Sequence, residues 1–247
     1  MTVVVGSCAR AALFAERAGA LLLPMAPDGG AYVRVDDDGV ALVSYADGEV
    51  GHALDSKAEL HRLAEGGLKN GDLGRAVGAH KQPKRVLDVT GGLGRDACAL
   101  AAMGCTVDVV ERSPVLAALW QDVLERVDHD VVQRLRFQQA EAADALRALV
   151  DEELRPQVVL LDPMFPKRKK KALVKKELRA VKALLDDEDL FGDPDAEGSE
   201  LVALAQQVAT ERVVVKRPVR APPLGPVSFD KKGKVLRFDV WLVPQLT

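Results

Sequence analysis

Asp88-Val-Thr-Gly-Gly-Leu-Gly-Arg-Asp-Ala97 is the stretch on which the fold turns. It follows Arg85–Val89, a short apolar run with the length and Val/Leu content of a buried strand, and leads into Arg95–Met103, an alanine-rich segment of helix length. A glycine-rich turn between a strand and a helix brings backbone N–H groups close to a ligand at the positive end of the helix. Gly92-x-Gly94-x-x-Ala97 matches a dinucleotide fingerprint, but glycine-rich turns are common, so the surrounding elements must identify the ligand.

Working outward toward the C-terminus, strand and helix signals alternate. Thr106–Val110 predicts a strand, Pro114–Arg126 a helix opened by proline, Leu135–Gln138 a strand, Ala142–Val150 a helix and Val158–Leu161 a short buried strand. Helix Ala172–Leu185, an acidic loop with Gly192, Pro194 and Gly198, helix Glu200–Ala209 and a fifth strand Arg212–Lys216 follow. Such alternation predicts an α/β fold, a parallel sheet with helices on both faces. The end differs: Pro226–Phe229, a turn at Asp230-Lys-Lys-Gly233 and Val235–Val243 read as a β-hairpin with no helix between its strands. Five βα units closed by a C-terminal hairpin are the order of a Rossmann-like seven-stranded S-adenosylmethionine (SAM)-dependent methyltransferase sheet. A dinucleotide fold more often continues with another βα unit.

Toward the N-terminus, residues 1–60 read as a small α+β region. Val3–Val5 suggests a strand, Arg10–Leu23 a helix, and Tyr32–Val35 with Val40–Val43 a hairpin around Asp36-Asp37-Asp38-Gly39. Residues 61–84 form a Gly/basic linker and short helix, and 85–247 the methyltransferase domain. The apolar stretch Ala18–Ala26 is too short to span a membrane, which takes roughly 18 residues, and reads as a buried helix end followed by a loop.

At 247 residues, 48% hydrophobic and 29% charged, the chain can bury a sizeable core. Cys8, Cys98 and Cys105 form no CxxC pair, which argues against a disulfide framework and fits a reducing cytoplasm. The four histidines make no close ligand pair, and no metal is assigned. The net charge of −3 conceals a polarity: Lys167–Lys182 holds nine bases against Glu177, and Asp186–Glu200 holds eight acids and no base.

The second strand ends at Glu111, about 20 residues past the glycines, where an acid accepts both ribose hydroxyls of a bound nucleoside. The alternative is a surface acid beside Arg112. Asp88 lies at the end of the first strand and Asp96 in the first turn of the helix, placed for a ligand's ammonium. Two carboxylates flanking the glycines would repel a pyrophosphate and suit a sulfonium cofactor carrying an amino group. Glu141 and Ala142, after the third strand, fall where an adenine edge belongs.

Asp162-Pro-Met-Phe165 follows the fourth strand, at the expected switch point of the sheet. An amine conjugated to a base ring is a poor nucleophile because its lone pair is delocalised. The Asp162 carboxylate and the Pro163 carbonyl can each accept one of its N–H bonds and aim the lone pair at a methyl group, while Phe165 stacks on the ring. The leaving group is a neutral thioether, so this chemistry requires no metal. The alternative is a strand ending in an ordinary turn, with Phe165 in the core. Basic residues follow at once: Lys167, Arg168, Lys169, Lys170 and Lys175, candidates for phosphate contacts together with Arg62, Lys69, Lys216 and Arg217. A merely solvated basic face is the competing reading, and the chemistry alone leaves the base unresolved among adenine, cytosine and guanine.

Asp88-Val-Thr-Gly-Gly-Leu-Gly-Arg-Asp-Ala, Val110-Glu-Arg-Ser-Pro114, Leu161-Asp-Pro-Met-Phe-Pro166, Ala172-Leu-Val-Lys-Lys-Glu177, Arg212-Val-Val-Val-Lys-Arg-Pro218 and Ala221-Pro-Pro-Leu224 together resemble the ribosomal RNA small subunit methyltransferase J family, over roughly residues 60–243. The resemblance implies transfer of a methyl group from SAM to the N2 amine of one guanine in 16S rRNA, leaving S-adenosyl-L-homocysteine, with 16S rRNA or the 30S subunit as partner. It also implies cofactor contacts at Arg95, Asp96, Glu111, Arg112, Glu141, Ala142 and Asp162. Other readings are a methyltransferase for another base amine in DNA or for a protein amide, a non-catalytic RNA-binding module, and a nicotinamide-dependent oxidoreductase.

Overall fold

The computed structural model describes residues 2–45, 48–55, 71–163 and 194–244, in two compact units. The first takes in residues 2–45, 48–55 and 113–127, and the second residues 71–112, 128–163 and 194–244.

In the first unit, β1 (Val3–Val5), β2 (Leu21–Leu23), β3 (Ala31–Asp36), β4 (Gly39–Ser44) and β5 (Gly48–Gly51) form a mixed sheet in the order β2-β1-β3-β4-β5. Helix α1 (Ala9–Ala18) stops earlier than the sequence reading had it. Gly19 adopts φ +59°, the Gly19 and Ala20 N–H groups close onto Glu16 and Ala15, and the chain turns into β2. Leu21 and Leu22 are therefore partly exposed on an edge strand, not a buried helix end. Helix α4 (Pro114–Arg126), opened by Pro114 and capped by the Ser113 hydroxyl, packs on α1 through Arg10–Asp122 at 2.8 Å and Arg17–Glu125 at 2.7 Å.

The second unit carries helix α2 (Asp72–Val77) and the strands β6 (Arg85–Asp88), β7 (Thr106–Glu111), β8 (Leu135–Gln139), β9 (Val158–Leu161), β10 (Arg212–Pro218), β11 (Phe229–Lys232) and β12 (Leu236–Leu242). Their order is β11-β12-β10-β9-β6-β7-β8, with β6 to β10 parallel and β12 antiparallel to β10 and β11. This is the seven-stranded, hairpin-closed sheet that the sequence alternation predicts. Register aligns Leu87, Val159, Val213 and Trp241 in one row, which packs with α5 (Ala142–Leu149) and α6 (Pro194–Val208) into a buried core. Both faces are covered, so β9 and the Val213–Val215 stretch of β10 read as Val/Leu runs instead of alternating.

Two boundaries differ from the sequence reading. Helix α6 begins at Pro194, inside the expected acidic loop. Gly198 lies in that helix, where a Cβ would come within 2.8 Å of the Leu224 side chain, so the glycine marks close packing and not a loop. Strand β11 occupies Phe229–Lys232, where the turn was expected, and charged residues suit this edge strand. The amino ends of the central strands are tied by Lys84 to Glu211 at 2.7 Å and Gln157 to Glu211 at 2.7 Å. Among the described residues no helix is long and apolar enough to cross a membrane.

Candidate active site

Strand order reverses at β6, which has β7 on one side and β9 on the other, so the loops after β6 and β9 flank the switch point at the carboxyl ends of the strands. A threonine hydroxyl joins them. The Thr90 N–H and Oγ–H donate to Asp88 Oδ1 at 3.0 and 3.2 Å, and Thr90 Oγ accepts the Asp162 N–H at 2.7 Å. The glycine loop then winds into α3 (Arg95–Ala102) through two left-handed residues, Gly92 at φ +50° and Gly94 at φ +77°, conformations that a Cβ would strain. The Gly92 N–H donates to Glu111 Oε2 at 2.8 Å, fixing the acid at the end of β7 against the loop.

Carboxylates gather here. Asp88 is 3% exposed; burial foremost, then the charges of Asp96 and Asp162, pushes it up to about 7 against the bonds from Thr90. Between Asp96 and Asp162 lies Lys216, from β10, with its ammonium 2.6 Å from Asp96 Oδ2 and 2.8 Å from Asp162 Oδ2. Burial pulls Lys216 down, but Asp162 and Asp96 outweigh it, and the ammonium is held above the usual lysine range. This lysine was read from sequence as an RNA contact; the structure places its charge on the chain's own acids.

Arg112 follows β7 and reaches Glu197 at 3.5 Å and Glu141 at 3.7 Å, so the chain segments after β7 and β8 and the start of α6 converge. Glu141 precedes α5 and is exposed, with Ala142 half-buried beside it, and Arg95 is exposed at the start of α3. Arg217, the other β10 base expected at RNA, is 1% exposed and bonds Asp195 at 2.9 Å, which leaves it no surface for a phosphate. The acids of α6 thus cover basic side chains of the same unit, Asp195 on Arg217, Glu197 on Arg112 and Glu200 on Arg147, and the first two also favour the positive end of their helix.

Asp88, Gly92, Gly94, Asp96, Glu111 and Asp162 therefore surround one end of the sheet, with Pro163 next to Asp162. Phe165, Arg62, Lys69, Lys167, Arg168, Lys169, Lys170 and Lys175 lie outside the described residues, as does the expected helix Ala172–Leu185. Sequence reading missed Thr90, although its place two residues after a strand-ending aspartate, where a hydroxyl can bond back to that carboxylate, was a usable sign. It also missed the ion pairs of Lys216, which join residues 54 and 120 positions apart.

The donor set suits SAM. Asp88, Asp96 and Asp162 set three carboxylates around the single Lys216 ammonium, an excess of negative charge that suits a ligand with ammonium and sulfonium groups, and the left-handed glycines at the start of α3 let the backbone approach it closely.

A family model for SAM-dependent methyltransferases matches residues 20–243, so the likeness reaches well upstream of the residue 60 suggested by the motifs. The chain is 45% identical over 207 residues to ribosomal RNA small subunit methyltransferase J of Pseudoalteromonas atlantica, covering 79% of this chain and 78% of that one. The protein of the same name from Pseudomonas aeruginosa strain UCBPP-PA14 is 40% identical over 248 residues, covering 95% and 90%. The crystal structure of a SAM-dependent methyltransferase from Neisseria gonorrhoeae superposes with a TM-score of 0.71 at 26% identity, covering 98% of this chain and 96% of that one. With its hairpin-closed sheet, glycine loop and strand-end acids, the chain belongs to the ribosomal RNA small subunit methyltransferase J family of SAM-dependent methyltransferases.

Proposed function

We propose that this protein methylates the exocyclic N2 amine of a specific guanine in 16S rRNA of the small subunit, with SAM as donor and S-adenosyl-L-homocysteine as product. The observation that carries the chemistry is the placement of Asp162: it follows β9 at the switch point, its N–H is held by Thr90, its carboxylate is held by Lys216, and Pro163 follows. The family names carry the choice of ribosomal RNA.

When bound, the cofactor supplies a methyl group on a sulfonium that leaves as a neutral thioether. Glu111 and the backbone of the glycine loop hold the nucleoside, with Glu141 and Ala142 at the adenine. Asp96 would take the ammonium, with Asp88, Arg95 and Arg112 as further contacts. Asp162 and the Pro163 carbonyl each accept an N–H of the guanine amine, which turns the nitrogen lone pair out of conjugation and toward the methyl. Phe165 stacks on the base, and Arg62, Lys69 and the Lys167–Lys175 bases grip the backbone phosphates. A ribosomal RNA substrate and cysteines without disulfides fit work in the cytoplasm.

The test is transfer of tritium from labelled SAM to 30S subunits, naked 16S rRNA, DNA and protein. Label in small-subunit RNA, as subunit or naked strand, supports the reading; label confined to DNA or protein overturns it, and no transfer to any substrate favours an RNA-binding module without catalysis.

A further inference from the structure

Lys216 comes from the central strand β10, yet it does not belong to the cofactor loop or to the Asp162 loop. Its ammonium stands 2.6 Å from Asp96 and 2.8 Å from Asp162, with the side chain 17% exposed. Those two acids have different work in the proposed reaction: Asp96 faces the donor and Asp162 the acceptor. We propose that Lys216 is a positioning residue that braces these two carboxylates, holding Asp162 in the orientation that receives the amine while offsetting one negative charge of the pocket. The inference rests on the role assigned to Asp162 above.

The physics is direct. Asp96 and Asp162 are pulled toward one ammonium, so each is close enough to repel the other without it. Asp162 is 41% exposed and follows a strand, and its N–H bond to Thr90 fixes the backbone but not the side-chain torsions. A charge-assisted bond from a largely buried ammonium constrains the carboxylate itself. The same charge sets cofactor preference. SAM carries one more positive charge than S-adenosylhomocysteine, so a pocket containing the Lys216 ammonium attracts SAM less strongly than one without it.

Lys216→Met and Lys216→Arg, assayed on 30S subunits from cells lacking this methyltransferase, test the brace. Lys216→Met is expected to lower kcat on the order of 10²-fold, with KM for the subunit changed by less than about twofold. Calorimetry is expected to show its binding preference shifted toward SAM over S-adenosylhomocysteine. Lys216→Arg keeps the charge and is expected to retain the wild-type cofactor preference and recover part of kcat, which keeps the test valid if the methionine variant folds poorly. A raised KM for the subunit with unchanged kcat and a shallower salt dependence would make Lys216 a phosphate contact and overturn the proposal. So would an arginine variant with altered cofactor preference. Asp162→Ala, run alongside, separates the two levels: transfer that survives in it removes the role of Asp162, whereas transfer lost there but intact in Lys216→Met removes only the brace.

Discussion

Asp88→Asn should change how stability depends on pH more than it changes the fold. Asp88 is 3% exposed, and both of its bonds from Thr90 end on Oδ1, which an asparagine carbonyl reproduces. Burial, with Asp96 and Asp162 nearby, raises its titration from 3.8 to about 7. Between those values the folded protein binds a proton that the unfolded chain releases. The stabilisation from this group is therefore complete below about pH 4 and is lost as pH rises toward 7. At about 1.4 kcal/mol per pH unit, the interval from pH 5.5 to 7 removes about 2 kcal/mol, roughly 4–8 °C in Tm for a chain of this size. The assay is thermal and urea unfolding of cofactor-free wild type and Asp88→Asn from pH 5.5 to 8. Other groups contribute equally to both proteins, so the difference curve isolates Asp88: the variant is expected to gain on the wild type as pH rises and to level off above 7. Parallel curves would refute the reasoning.

The same titration predicts that SAM binds more tightly at pH 8 than at pH 6, since ionised Asp88 favours a cationic ligand; calorimetry at the two values checks this, and Asp88→Asn should flatten the dependence. If Glu111 holds the ribose as proposed, Glu111→Ala should weaken cofactor binding roughly 10-fold or more, since it also loosens Gly92. Thr90→Val strands the Asp162 N–H and removes the hydroxyl bond to Asp88, leaving only the backbone bond there, with an expected cost of about 1–3 kcal/mol in stability and a fall in kcat that Thr90→Ser restores. Replacing Lys169, Lys170 and Lys175 with alanine should weaken RNA binding and flatten its dependence on salt; an unchanged slope would return that face to solvent.

The parallel sheet was legible because β9 and the Val213–Val215 stretch of β10 are apolar runs and because Gly92 and Gly94 stand where a strand meets a helix. Local signals misled where a residue had a tertiary purpose. Gly198 looks like a loop residue but sits in α6 to admit Leu224, and Asp230-Lys-Lys232 looks like a turn but forms a charged edge strand. Gly19 was a readable helix stop that the longer apolar run Ala18–Ala26 masked. The gathering of Asp88, Asp96, Glu111 and Asp162 at one end of the sheet was legible because each ends a strand, directly follows one or lies in the first turn of the helix after one. The partners of Lys216 and Arg217 could not, because they are set by which strands lie side by side. A basic residue next to a phosphate-binding loop and one neutralised inside the sheet edge look the same in sequence.

The central claim is most directly tested by mapping methylated guanines in 16S rRNA by mass spectrometry, in cells with the gene intact, deleted, and replaced by the Asp162→Ala variant. The account predicts one N2-methylguanine present with the intact gene and missing from the other two. An unchanged methylation pattern on deletion, or full methylation by the Asp162→Ala variant, would contradict it.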